Sequence, residues 1–172
     1  MQKTTRHKYS IEAMQPADVV EATKMRLQSW RDTYHNDDLG VTAEWLDTVI
    51  EQELSDERMR ERVARGVFGW VARDEQGKII GVSMPFVMED GTQRVGGLYV
   101  DKAWHGKGVG SALMQRVIAY HDPKKPIALG VASYNERAKA FYRKWGFEEA
   151  PNSTEYFREK IPTVRMIRKV DV

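Results

Sequence analysis

The sequence predicts an α/β domain built on a mixed sheet, and three observations carry that expectation. Apolar residues recur at helical spacing through the first part of the chain, then switch to a period of two between Val67 and Val100. A short, almost wholly apolar run, Ile127-Ala128-Leu129-Gly130-Val131, suits a strand buried in a parallel pairing. Strong helical stretches flank that run on both sides, so strands and helices alternate along this half of the chain.

Taken in order, Tyr9 to Met14 alternates loosely and suits a first strand. Pro16-Ala17-Asp18 then starts a helix that runs past Trp30, with an acid in its first turn. Tyr34 to Gly40 is a polar loop. Thr42 caps a second helix with Trp45, Leu46, Val49, Ile50 and Leu54 on one side, and Ser55-Asp56-Glu57-Arg58 restarts a short charged one ending near Gly66. Val67 to Ala72, Ile79 to Val87 and Arg94 to Val100 read as three hairpin-linked strands. Gly96-Gly97 inside the third suggests a bulge or a close backbone approach, against the plainer reading of packing need. Gly108 to Tyr120 is a helix stopped by Asp122-Pro123, Ile127 to Val131 a strand, and Asn135 to Trp145 a helix closed by Gly146. Two closing strands are expected at Thr154 to Phe157 and Val164 to Val170.

The totals narrow the class. The chain has 172 residues, enough for one domain with a substantial core, and a net charge of +2. That balance argues against a dedicated nucleic-acid protein. It contains no cysteine, which removes disulfides and thiolate sites and suits a cytoplasmic protein. No apolar run approaches the roughly 18 residues of a membrane span, so no membrane partner is expected. Residues 1–8 are polar, basic and unlike a secretory signal, and read as a flexible terminus before a single domain at 9–172. The four histidines (His7, His35, His105 and His121) are isolated, without zinc-ligand spacing, so no metal is expected.

Chemistry concentrates in the stretch from Leu98 to Met114. Leu98-Tyr99-Val100 ends a strand, and His105-Gly106-Lys107-Gly108-Val109-Gly110-Ser111 opens a helix. Glycines at alternate positions let backbone approach a ligand, and the unpaired amides of a first helical turn suit phosphate. A nucleoside-triphosphate loop would need Ser or Thr after Lys107, where Gly108 stands. A dinucleotide fingerprint, G-x-G-x-x-G, would need a third glycine where Ser111 stands and an acid after the next strand, where Val131-Ala132-Ser133 offers none. A turn with no ligand is the bland alternative.

Downstream, Asn135, Ala138, Phe141, Tyr142, Gly146 and Phe147 fall in the pattern N-x-x-A-x-x-F-Y-x-x-x-G-F. With the loop's Q/R-x-x-G-x-G/A pattern, in which His105 takes the first place, this closely resembles the GNAT superfamily of acyl-CoA N-acyltransferases. The resemblance covers roughly Val67 to Phe147. It implies a mixed, mostly antiparallel sheet of about six to seven strands. That sheet would be splayed between the fourth and fifth strands, with helices on both faces. It also implies acetyl-CoA as co-substrate. The pyrophosphate would lie on the amides of His105 to Ser111 (Lys107 and Val109 included), with the pantetheine arm as an added strand along Leu98, Tyr99 and Val100. Asn135 would bind the pantetheine amides, although as a residue it also reads as a helix cap. Tyr142, two turns along the same helical face, would protonate the leaving thiolate. By itself a tyrosine on an apolar helix would read as core.

Trp30 and Tyr34 look like the opening of small-molecule members, so the implied activity is direct acetyl transfer to a small primary amine in a ternary complex. Trp30, Tyr34, Asp37, Phe86 and Tyr134 are the expected acceptor-site residues. Asp37-Asp38 suits a cationic amine, while Arg94 pulls toward an anionic one. No carboxylate stands in the strand before the loop, so the general base is left unassigned. Transfer to a peptide or protein and a non-catalytic acyl-CoA sensor are the alternatives. Homodimers are common among similar proteins, so a second copy is an expected partner.

Overall fold

Strands rich in Val, Ile and Leu and helices with an apolar stripe build the domain. The computed structural model describes residues 8–53, 56–65 and 69–170. The expected terminus at residues 1–7 and the assignments at Leu54, Ser55, Gly66, Val67, Phe68 and residues 171–172 lie outside these. The strands are β1 (Tyr9–Ala13), β2 (Trp70–Asp74), β3 (Ile79–Val87), β4 (Gln93–Val100), β5 (Ile127–Ala132), β6 (Phe147–Glu149), β7 (Glu155–Phe157) and β8 (Ile161–Arg168). The helices are α1 (Val19–Tyr34), α2 (Ala43–Glu53), α3 (Asp56–Ala64), α4 (Val109–Tyr120) and α5 (Glu136–Lys144).

Local chemistry sets the helix ends. The Thr42 hydroxyl accepts from the Trp45 amide at 3.2 Å and opens α2. Asn135 Oδ1 accepts from the Ala138 amide at 3.1 Å and opens α5, which Gly146 closes at φ +81°.

The sheet has eight strands in the order β1-β2-β3-β4-β5-β8-β6, with β7 also on β8. This is more than the six or seven expected, because β6 adds a short strand at Phe147. Among the described residues only β4 with β5 is parallel. Helices cover both faces. On one, Val19, Ala22 and Met25 of α1 pack on Val71, Val82 and Met84, and α1 and α2 together cover Ala132 and Ile161. On the other, Val109 and Leu113 of α4 pack on Ala72 and Ile80, while Met114 and Val117 meet Val95, Leu129, Tyr142 and Phe147.

Two irregularities open the sheet in the middle. Met84 pairs with Gly97 and Pro85 with Val95, which leaves Gly96 as a bulge. A Cβ on Gly96 would stand 2.7 Å from the Met84 carbonyl oxygen, so glycine is the residue that fits. On the other side, β4 pairs with β5 only at Gln93↔Ile127 and Arg94↔Ala128. Beyond Arg94 the two strands part, as the resemblance implied.

Candidate active site

The parting of β4 and β5 is the site's foundation, because it leaves backbone groups of β4 without a ladder partner on that side. The space becomes a cleft of about 840 Å³ that runs from Gly96 and Leu98 past Tyr142 to the loop at Gly106 and Gly108. A main-chain edge open to a ligand is the usual template for an added extended segment.

At its outer end stands the amino terminus of α4. Gly108 takes φ +86°, ψ −7°, a left-handed conformation that costs other residues roughly 1–2 kcal/mol. The first bond of α4 runs from the Ala112 amide to the Gly108 carbonyl at 3.0 Å. The amides of Val109, Gly110 and Ser111 therefore have no acceptor in the preceding turn and carry the positive end of the helix dipole.

His105 locks this loop in place. Its Nε2 lies 2.9 Å from the Val100 carbonyl, and its Nδ1 lies 2.7 Å from Nη1 of Arg137. Arginine can only donate, so Nδ1 is the acceptor and Nε2 carries the proton that goes to Val100. The Val100 carbonyl is thus already engaged, which narrows its expected contribution to a ligand. Arg137 and Lys102 give this end of the cleft two cationic walls, and Lys144 lines the cleft two turns farther along α5.

α5 supplies the other side. Because Asn135 Oδ1 caps the helix, its side-chain N–H groups remain for the cleft that it lines. Cap and ligand roles are therefore compatible. Tyr142 is buried, with its ring edge-on to Phe141 at 5.5 Å and to Phe147 at 5.9 Å. Burial pushes its hydroxyl well above the usual phenol range, and the nearby Tyr99 phenol adds to the shift. Tyr34 is raised too, first by burial and then by Tyr99, Tyr142 and Tyr134. Three phenols, those of Tyr34, Tyr99 and Tyr142, line the cleft together.

All residues expected to hold the donor line the cleft except Lys107 and Val109. Lys107 instead lies over the Trp104 ring at 5.1 Å, and the Val109 side chain is fully buried beneath the loop, leaving only its amide to serve. The expected acceptor residues divide. Tyr34 lines the cleft. Trp30 supports it from behind, 4.7 Å from the Tyr34 ring and 5.6 Å from Phe157. The Tyr134 hydroxyl donates to the Tyr34 carbonyl at 3.1 Å and fixes the end of α1. Phe86 lies against the Gly96 bulge rather than in the cleft. Asp37 is a correction: it sits in an exposed turn beside His35 at 3.1 Å, away from the cleft, because the turn carries it outward past the end of α1. Among the described residues the cleft's single lining carboxylate is Asp32, two residues before the end of α1.

A family model described as an acetyltransferase (GNAT) domain matches residues 31–170. The chain belongs to this family. An uncharacterised N-acetyltransferase of Mycobacterium tuberculosis is 30% identical over 120 residues, 69% of this chain and 76% of its own length. Among solved structures, the PaiA N-acetyltransferase of Thermoplasma acidophilum, determined in complex with coenzyme A, superposes with a TM-score of 0.79 at 18% identity. That match covers 94% of this chain and 99% of the other. The ribosomal-protein-S18-alanine N-acetyltransferase of Escherichia coli shares the fold at a TM-score of 0.66 and 16% identity, over 96% of each chain.

Several walls of this GNAT acetyltransferase's cleft escaped sequence reasoning. Ser29, Asp32 and Thr33 follow three- and four-residue steps and so share one face of α1. Helical spacing could have grouped them, but not said which way that face turns. Arg137 occupies a variable position of the second motif, and no local signal marks it.

Proposed function

We propose that this chain transfers the acetyl group of acetyl-CoA directly to the primary amine of a small molecule, with donor and acceptor bound together. The observation that carries this reading is the continuity of one cleft from the unpaired amides of α4, along the open edge of β4, to the Tyr142 hydroxyl. The residues fit the donor: a cradle of free amides flanked by Arg137 and Lys102 suits a pyrophosphate. The splay leaves room for an extended arm, and the Asn135 amide donors suit its carbonyls.

Acetyl-CoA, when bound, supplies an electrophilic thioester carbonyl with a thiolate as its leaving group. The chain's own residues do the rest. Amides of Val109, Gly110 and Ser111 hold the anionic end. Leu98, on the open edge, offers main-chain hydrogen bonding to the developing oxyanion. Tyr142 keeps its proton at physiological pH and donates it at the sulfur as the C–S bond breaks. The apolar surroundings that raise the phenol also raise the proton affinity of the thiolate. The attacking amine gives up its proton as the C–N bond forms, and Asp32 is the carboxylate available to receive it through water.

A thiol-release assay over alkylamines, polyamines, amino acids and peptide amino termini tests the reading. Acetyl-CoA-dependent release with a free small amine is expected. Release only with peptides would reassign the acceptor, and coenzyme binding without release across the panel would make the protein a sensor.

A further inference from the structure

A second recess, of about 400 Å³, lies on the α1–α2 side of the sheet at the closed end of the splay. Strand parity defines its floor. Leu129 and Val131 pack with Met114 and Tyr142 on the α4–α5 face, so Gly130 between them faces the opposite way. Arg165 pairs with Gly130 across β8 and shares its face. Arg94 precedes Val95, which packs with Met114, and so also faces away from α4. Its Nη2 stands 4.0 Å from where a Cβ on Gly130 would be. Arg94, Gly130 and Arg165 therefore form a row across β4, β5 and β8.

The charges in this row are unbalanced. Arg94 is part-buried, and its guanidinium makes no ion pair or hydrogen bond among the described residues. Arginine held out of water ordinarily pairs with a carboxylate. Arg165 donates to Glu155 at 3.0 Å on the exposed side. Lys125 adds a third cation to the wall. The one lining acid, Asp90, is exposed and spends its carboxylate on the Thr92 amide at 2.8 Å. The recess is thus net positive. Gly130 is a wall of the main cleft, and Arg94 Nη2 reaches to within 4.0 Å of the Cβ position there, so this cation extends from the recess toward the cleft.

We propose that this recess binds an anionic group of the acceptor. The substrate class is then a small primary amine carrying a carboxylate or phosphate. Leu98 lies four residue steps along β4 from Arg94; at about 3.3 Å per residue, shortened by the bulge at Gly96, amine and anion lie on the order of 10 Å apart. The proposal rests on the acetyl-transfer reading above, and its test keeps the two apart.

The test compares ω-amino carboxylates and ω-amino phosphonates of increasing length with alkylamines and α,ω-diamines of the same lengths, in the wild type, Arg94→Gln and Arg94→Lys. The wild type is expected to prefer the anionic amines in kcat/KM by about ten- to hundredfold. Arg94→Gln collapses that ratio, mainly through KM, and Arg94→Lys restores part of it. Which anionic series wins distinguishes carboxylate from phosphate. A parallel melting series with alkyl carboxylates and phosphonates, which carry the anion and no amine, reads the recess without turnover. Stabilisation of the wild type and not of Arg94→Gln supports the recess even if no amine releases thiol, an outcome that would sink the transfer reading instead. Thiol release with no anionic preference, a preference for diamines, or an Arg94→Gln ratio equal to wild type overturns the proposal while leaving acetyl transfer standing.

Discussion

Replacing Gly108 and Gly110 singly by alanine separates two glycines that look alike in the sequence. Gly108 holds φ +86° at the start of α4, and an alanine there carries the left-handed penalty of roughly 1–2 kcal/mol. Its methyl would also stand 3.1 Å from the Tyr9 hydroxyl, which can yield a little. Gly110 lies inside α4, where a Cβ meets the Phe141 ring at 3.6 Å and Val100 at 3.7 Å, both ordinary contacts. Alanine there gains helix propensity, up to about 1 kcal/mol. For a chain of this size each kcal/mol moves the melting temperature by about 2–4 °C. Gly108→Ala is therefore expected to melt about 2–8 °C below wild type, and Gly110→Ala up to about 4 °C above it. Melting followed by circular dichroism reads both, and calorimetric titration with coenzyme A shows whether tilting the α4 amides in Gly108→Ala weakens binding. If Gly108→Ala melts at or above wild type, the left-handed cap is not a constraint and the cradle geometry argued from it falls.

Tyr142→Phe keeps the ring contacts and loses the hydroxyl, so kcat is expected to drop by about 10²- to 10⁴-fold while KM for acetyl-CoA stays within a few-fold; unchanged kcat would remove the acid role. Because burial pushes this phenol up, the wild-type pH–rate profile should show no falling limb from Tyr142 up to about pH 10. Asn135→Asp keeps an oxygen for the Ala138 amide and removes the side-chain donor; KM for acetyl-CoA should rise several-fold with little change in melting, and an unaltered KM would reduce Asn135 to a cap. His121 is buried, which lowers its pKa despite its bond to the Arg94 carbonyl at 3.1 Å. Between that lowered value and the unfolded value near 6.5, the unfolded chain binds more protons. The neutral imidazole thus contributes stability that is full above about pH 6.5 and lost as pH falls through the folded value. Melting should drop between pH 7 and 5, and His121→Gln should flatten that dependence; an equally steep profile in the variant would assign it to other groups.

Much of this was readable locally, for a physical reason. A continuous, mostly apolar run between two polar turns marks β3 at Ile79–Val87, and the Asn135 and Gly146 caps bound α5, because such features depend on a few neighbouring residues. β6 was missed because Phe147–Glu149 is too short to show a period. Asp37 drew attention as an acid beside an aromatic pair. Yet Trp30 and Leu27 pack inward against Leu46 and Ile161, and that packing turns the Ser29–Asp32–Thr33 face toward the cleft.

What the sequence by itself determined is the character of single segments: a glycine-rich loop opening a helix, a capped helix carrying Tyr142, and a strand interrupted by Gly96-Gly97. Those follow from backbone freedom, hydrogen-bond inventory and periodicity within a few residues. Only the tertiary structure decided what meets what. His105 finds Arg137 on another helix, and Arg94 and Arg165 line up across Gly130 from three strands. Such juxtapositions depend on strand order and register, which no local pattern encodes.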